Sequence, residues 1–117
     1  MRIPTVAAVT LLAAIASTAA QAHAFLDHAE PRVGSTVATA PAELALFFSQ
    51  NLEPAFSSVE VSDASGARVD LGKPKVSATT MRVGLKQLPP GTYRVRWQVL
   101  SVDTHTTEGS FTFRVGQ

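Results

Sequence analysis

From position 23 onward the apolar residues recur at every second position, and glycine, proline, asparagine or aspartate interrupts the pattern at short intervals. That period predicts short, half-buried strands rather than amphipathic helices. A first strand is expected over Ala24–Ala29, closed by Glu30-Pro31 and the turn-forming Val33-Gly34-Ser35. Pro31 has no N–H to give to a sheet and fits a strand end or an edge. The next strand is expected over Glu43–Phe48, with Leu44, Leu46 and Phe48 on the core face. Ser58–Ser62 alternates Val59 and Val61 with polar residues, and Asp63-Ala64-Ser65-Gly66 turns it into Ala67–Leu71, which predicts a hairpin.

The segment Gly72–Ala78 reads as loop, and alternation resumes over Thr79–Leu85 through Met81, Val83 and Leu85. Leu88-Pro89-Pro90-Gly91 is a strong turn signal, because the prolines fix φ and glycine tolerates conformations closed to other residues. The clearest strand follows over Thr92–Ser101, with Tyr93, Val95, Trp97 and Val99 inward and Arg94, Arg96 and Gln98 outward. The last, over Gly109–Val115, carries Phe111, Phe113 and Val115 on one face. Seven short strands at regular spacing predict an all-β fold, an immunoglobulin-like Greek-key sandwich or barrel. The chain has no cysteine, so the likeness to immunoglobulin domains is architectural and includes no disulfide.

The first 22 residues follow a different rule. Arg2 is their only charge, an apolar stretch runs from about Val6 to Ala16, and Ala20 and Ala22 stand in A-x-A spacing. This is the layout of a cleavable secretory signal peptide, and the apolar run is shorter than the roughly 20 residues needed to span a bilayer. Two regions are therefore expected: a leader over 1–22 and one domain over 23–117. Removing 22 of 117 residues leaves 95, enough for one small core. The ten Lys/Arg and nine Asp/Glu become nine of each once Arg2 departs. A neutral domain lacks the clustered positive charge that phosphate binding requires, which argues against a nucleic-acid partner.

Cleavage after Ala22 would leave His23 at the N-terminus, where its α-amine and ring Nδ1 can close a six-membered ring on one metal ion. A further nitrogen is available in Ser101-Val102-Asp103-Thr104-His105, where Asp103 and His105 are two apart and project to one side if the backbone is extended. An amine, two imidazoles and a carboxylate form a nitrogen-rich set suited to tetragonal Cu(II), with zinc as the competing ion. Met81 is the only methionine beyond the leader, so a soft Cu(I) site is poorly served. His28 is of opposite strand parity to His23 and reads as an exposed polar residue. No nucleophile elbow and no Gly-rich phosphate loop occurs, so the chain does not read as an enzyme.

The N-terminal His23 after the A-x-A cut, Glu30-Pro31, Leu46-Phe47-Phe48-Ser49, Leu88-Pro89-Pro90-Gly91-Thr92-Tyr93-Arg94-Val95, Trp97, Ser101-Val102-Asp103-Thr104-His105 and Gly109-Ser110-Phe111-Thr112-Phe113 stand in an order that resembles the periplasmic copper-resistance CopC family. The resemblance implies a seven-stranded Greek-key barrel that binds Cu(II) through the positions occupied here by His23, Asp103 and His105. It further implies a periplasmic protein for copper sequestration or delivery, with an inner-membrane CopD-like copper transporter as partner; a monomer is expected. Two positions depart from the family pattern. Gln50 stands where members often have a glutamate, and the methionine-rich loop of some members is absent. Two other readings stay open on the residues alone: a metal-free immunoglobulin-like interaction module, and a histidine-brace copper oxidase.

Overall fold

A computed structural model of the protein describes residues 24–116. The expected leader and His23 lie outside the described residues. Among the described residues eight strands form: β1 (Leu26–Glu30), β2 (Thr36–Val37), β3 (Glu43–Phe48), β4 (Ser58–Ser62), β5 (Lys75–Ser77), β6 (Thr80–Gly84), β7 (Gly91–Leu100) and β8 (Thr106–Val115). They make two four-stranded sheets, ordered β1-β3-β6-β5 and β2-β8-β7-β4. The neighbours are antiparallel except β2, which pairs parallel with β8. The all-β two-sheet sandwich is the architecture the alternation predicts, with eight strands in place of seven.

The boundaries of β3 and β4 match the expected ranges to the residue. Their inward residues Leu44, Leu46, Phe48, Val59 and Val61 are all buried. They meet Met81 and Val83 of β6 and Tyr93, Val95, Val99, Phe111, Phe113 and Val115 of β7 and β8 in one continuous core. Each such side chain, once buried, stabilises the fold by roughly 1.5–3 kcal/mol. Tyr93 stacks on Phe113 with ring centroids 5.6 Å apart, and the Tyr93 hydroxyl donates to the Pro89 carbonyl, tying the diproline turn to the core. Trp97 is only partly buried; its indole lies across Gly109, where a Cβ would come within 2.6 Å of it.

Three expectations need correction. Lys75–Ser77, read as loop, is β5, a short edge strand on β6. The β8 strand begins at Thr106 rather than Gly109, so that β7 and β8 form one ladder from Gly91↔Val115 to Leu100↔Thr106. Finally, Ala67–Leu71 makes only isolated bridges, Ser62↔Arg68 and Asp70↔Leu85. The reason is local: the Val61 carbonyl accepts from Val69 N–H, whereas the Val61 N–H donates to the Asp70 carboxylate at 2.8 Å. A side chain has taken the place of a ladder carbonyl. The same segment bonds the other sheet through Leu71 N–H to Gly84 and Lys86 N–H to Val69, so it sews the two sheets together along one margin. The turn before it follows expectation, with Gly66 at φ +91° and Asp63 Oδ1 accepting from the Ser65 and Ala67 amides.

Candidate metal centre

The connection between β7 and β8 is a tight, heavily bonded loop. Ser101 is fully buried, and its N–H donates to the His105 carbonyl at 3.0 Å while Thr104 N–H donates to the Ser101 carbonyl at 2.8 Å. From outside, Val102 N–H donates to Asn51 and Leu52 bridges to Ser101. Thr104 has φ +73°, a left-handed conformation that a β-branched residue enters only when its surroundings dictate it. The turn brings Asp103 and His105 together. The sequence reading reached the same pair through an extended backbone; the structure does it with a turn.

Asp103 Oδ1 lies 3.3 Å from His105 Nδ1 and also accepts the buried Ser101 hydroxyl. The Ser101 hydrogen bond holds the Asp103 carboxyl below the ordinary carboxylate range; partial burial opposes this, and the nearby His105 adds to the lowering. The carboxylate is therefore ionised at neutral pH, and it remains about one-third exposed beside a half-exposed imidazole. An anionic oxygen and a ring nitrogen at one accessible point can take a divalent cation of borderline hardness.

The start of the described chain meets this loop. Thr107, two residues past His105, donates its hydroxyl to the Ala24 carbonyl at 2.7 Å. On the other side Phe25 N–H donates to Ser49 Oγ and Ser49 N–H donates to the Phe25 carbonyl, both at 2.9 Å. Ala24 is the residue directly after His23. Among the described residues no three His, Cys, Asp or Glu side chains gather into a metal-holding group; the expected set includes His23, which lies outside them.

Other candidates fall elsewhere. His28 stacks on Phe47 of β3 with centroids 4.3 Å apart and rings within 4° of parallel, its Nδ1 3.4 Å from Asp27. Its side chain is more than half exposed, as the sequence reading expects of it. Met81 is wholly buried in the core and offers its thioether to nothing outside. Gln50 follows Ser49, directly beyond the end of β3. Sequence reasoning missed Ser101, Ser49 and Thr107 as parts of this neighbourhood. The Ser-x-Asp spacing was the one available signal, since a serine two residues from an aspartate can bond it locally.

Fold and loop together define a small β-sandwich with a carboxylate–imidazole pair near the point where its first described residues, Ala24 and Phe25, are anchored. Residues 26–116 match the CopC domain family, and the chain belongs to that family. It is 36% identical over 118 residues to copper resistance protein C of Pseudomonas syringae pv. tomato, covering 92% of this chain and 93% of that protein. The crystal structure of CopC from Methylosinus trichosporium OB3b superimposes with a TM-score of 0.76 at 33% identity, over 80% of this chain and 94% of that one. The copper transport protein CutJ of Bacillus subtilis is 32% identical over 100 residues, covering 82% of this chain; the match spans only 18% of CutJ's own length. This is a copper-related protein of the CopC family.

Proposed function

We propose that the chain binds one Cu(II) ion in the periplasm, after removal of residues 1–22, through the α-amine and imidazole of His23 together with Asp103 and His105. The observation that carries this reading is the pairing of Asp103 Oδ1 with His105 Nδ1 at 3.3 Å, on a loop whose neighbour Thr107 holds the residue following His23. The donor set is nitrogen-rich and has no soft ligand, since the chain lacks cysteine and Met81 is buried, which favours Cu(II) over Cu(I). The role is to hold and hand over copper rather than to turn over a substrate. A CopD-like inner-membrane transporter is the proposed recipient of a monomeric carrier. The CutJ relative supports this, because its matching region is a minor part of a longer protein named for copper transport.

The decisive experiment has two steps. Mass spectrometry of the exported protein is expected to find His23 as its first residue. Cu(II) titration of that protein should then saturate at one equivalent, while a form with one extra residue before His23 folds normally but binds more than about a hundredfold more weakly, beyond what loss of a supporting residue costs. Protons must leave the amine and imidazole, with unperturbed pKa values of about 7.7–8.0 and 6.5, so affinity should fall steeply from about pH 7 to pH 5. Equal titration of the two forms would leave the N-terminal chelate without support and favour a metal-free interaction module or a different ligand set.

A further inference from the structure

We infer that Thr107 and Ser49 are positioning residues for the metal site: their hydroxyls clamp the chain at Ala24 and Phe25, so the histidine before them is presented to the Asp103–His105 loop with little left to order. The inference rests on the reading of His23 as a ligand. Ala24 and Phe25 precede β1 and belong to no strand. Thr107 Oγ1 reaches the Ala24 carbonyl at 2.7 Å across 83 positions of sequence, while Ser49 Oγ accepts from Phe25 N–H and the Ser49 backbone N–H donates to the Phe25 carbonyl. The two clamps come from different sheets: Ser49 directly follows β3, and Thr107 is on β8. They therefore grip the arm across the opening between the sheets.

The distances make the clamp relevant to a ligand. Thr107 and His105 are two residues apart, about 7 Å along an extended chain, and one peptide step from Ala24 back to His23 is about 3.8 Å. With Ala24 fixed at Thr107, chain connectivity alone puts the residue before Ala24 one peptide step from an anchor two positions past His105. Without the clamp, Ala24 and Phe25 would have to be ordered when the metal binds, and each residue so ordered weakens binding by roughly tenfold. Ala24 is itself fully buried, so its carbonyl cannot exchange the Thr107 hydroxyl for bulk water.

The test uses protein beginning at His23 in four forms: wild type, Thr107→Val, Thr107→Ser and Ser49→Ala. Thr107→Val keeps the shape of the side chain and removes the hydroxyl; Thr107→Ser keeps the hydroxyl. In the metal-free state the amide of Phe25 should lose order on the ps–ns timescale in Thr107→Val and Ser49→Ala, by NMR relaxation, but not in Thr107→Ser. Cu(II) affinity, measured by chelator competition, should drop about tenfold in Thr107→Val and somewhat less in Ser49→Ala, with Thr107→Ser close to wild type. The EPR spectrum at saturating Cu(II) should be the same in all four, because the ligands are untouched. A folded Thr107→Val that keeps both Phe25 order and wild-type affinity overturns the clamp. So does an altered EPR spectrum, which would make Thr107 part of the ligand set. Should Thr107→Val fail to fold, Ser49→Ala with wild-type affinity and order is the overturning result. If wild-type protein itself takes up no Cu(II), the metal reading falls and the positioning role with it, an outcome distinct from equal binding by wild type and variants.

Discussion

Asp70 and Asp103 are both held below the usual carboxylate range, and they serve different ends. Asp70 has a side chain only 1% exposed. Burial alone would push its carboxyl up, but Arg68 donates Nε and Nη2 to its two oxygens, and the amides of Val61 and Gly72 add to the lowering. Every oxygen is engaged by fixed donors, so this carboxylate is framework. Asp103 is one-third exposed, and its Oδ1 is met by a serine hydroxyl and by the half-exposed imidazole of His105. The same lowered range is reached once with the help of a permanent guanidinium and once through a serine hydroxyl beside a half-exposed ring, at the pair proposed to take the metal. Permanence of the partner, more than the direction of the pKa shift, separates a strut from a site.

The sharpest way to break the comparison is Asp70→Ala. It leaves Val61 N–H and Arg68 without their partner; Arg68 is half exposed and partly rescued by water, so the expected loss is about 3 kcal/mol, at the low end for a broken buried pair. Urea unfolding would measure it, and the Cu(II) affinity of the folded fraction should be unchanged. His105→Ala should do the reverse: affinity falls by about a hundredfold or more, while stability moves by no more than ~0.5 kcal/mol. Asp103→Asn is expected to sit lower, with affinity reduced roughly tenfold, because the amide keeps the position but brings no charge. If Asp103→Asn unfolds the protein or Asp70→Ala abolishes copper binding, the two roles have been exchanged.

Acid supplies a milder version of the first test. The folded pKa of Asp70 is below its unfolded value, so its contribution to stability is complete above about pH 4 and is lost as pH falls through the folded pKa. The stability gap between wild type and Asp70→Asn should therefore shrink as pH drops below about 4 in parallel unfolding curves. The smallest effect is expected for His28→Ala, which removes a solvent-facing stack on Phe47 and should leave Cu(II) affinity within about twofold and stability within ~0.5 kcal/mol.

Period-two alternation made β4 and most of β7 legible, because each has one face in the core and burial repeats the pattern directly, while β3 was legible as a short apolar run whose Leu44, Leu46 and Phe48 face the core. β5 was hidden because three residues after Lys73-Pro74 offer a single inward side chain, Val76. The beginning of β8 was hidden because Thr106, Thr107 and Glu108 hold their ladder by backbone bonds and show no apolar face. Ala67–Leu71 misled in the opposite direction: its pattern is strand-like, yet Asp70 satisfies Val61 with a side chain and the ladder never forms. At the site, residue types and spacing pointed to Asp103 and His105, and the structure brings those two together. The supporting hydroxyls of Ser101, Ser49 and Thr107 escaped notice because serine and threonine are ordinary in strands and turns, and only the meeting of segments 83 positions apart gives Thr107 its partner.

Trp97 is the only tryptophan of the chain, and its indole lies over Gly109 and meets Phe48 edge to face with ring centroids 5.1 Å apart. Gly109 is four residues from His105 along the start of β8, about 14 Å in extended chain. The fold has thus placed its single strong chromophore on β7, across the ladder from the strand that leads away from the proposed ion, in a half-sheltered position. Paramagnetic Cu(II) arriving at that range should dim the emission of Trp97 without shifting its colour, because the indole's own surroundings do not change. Filling could then be followed optically on the unlabelled protein, and replacing Gly109 with alanine, which would displace the ring, should blur that signal.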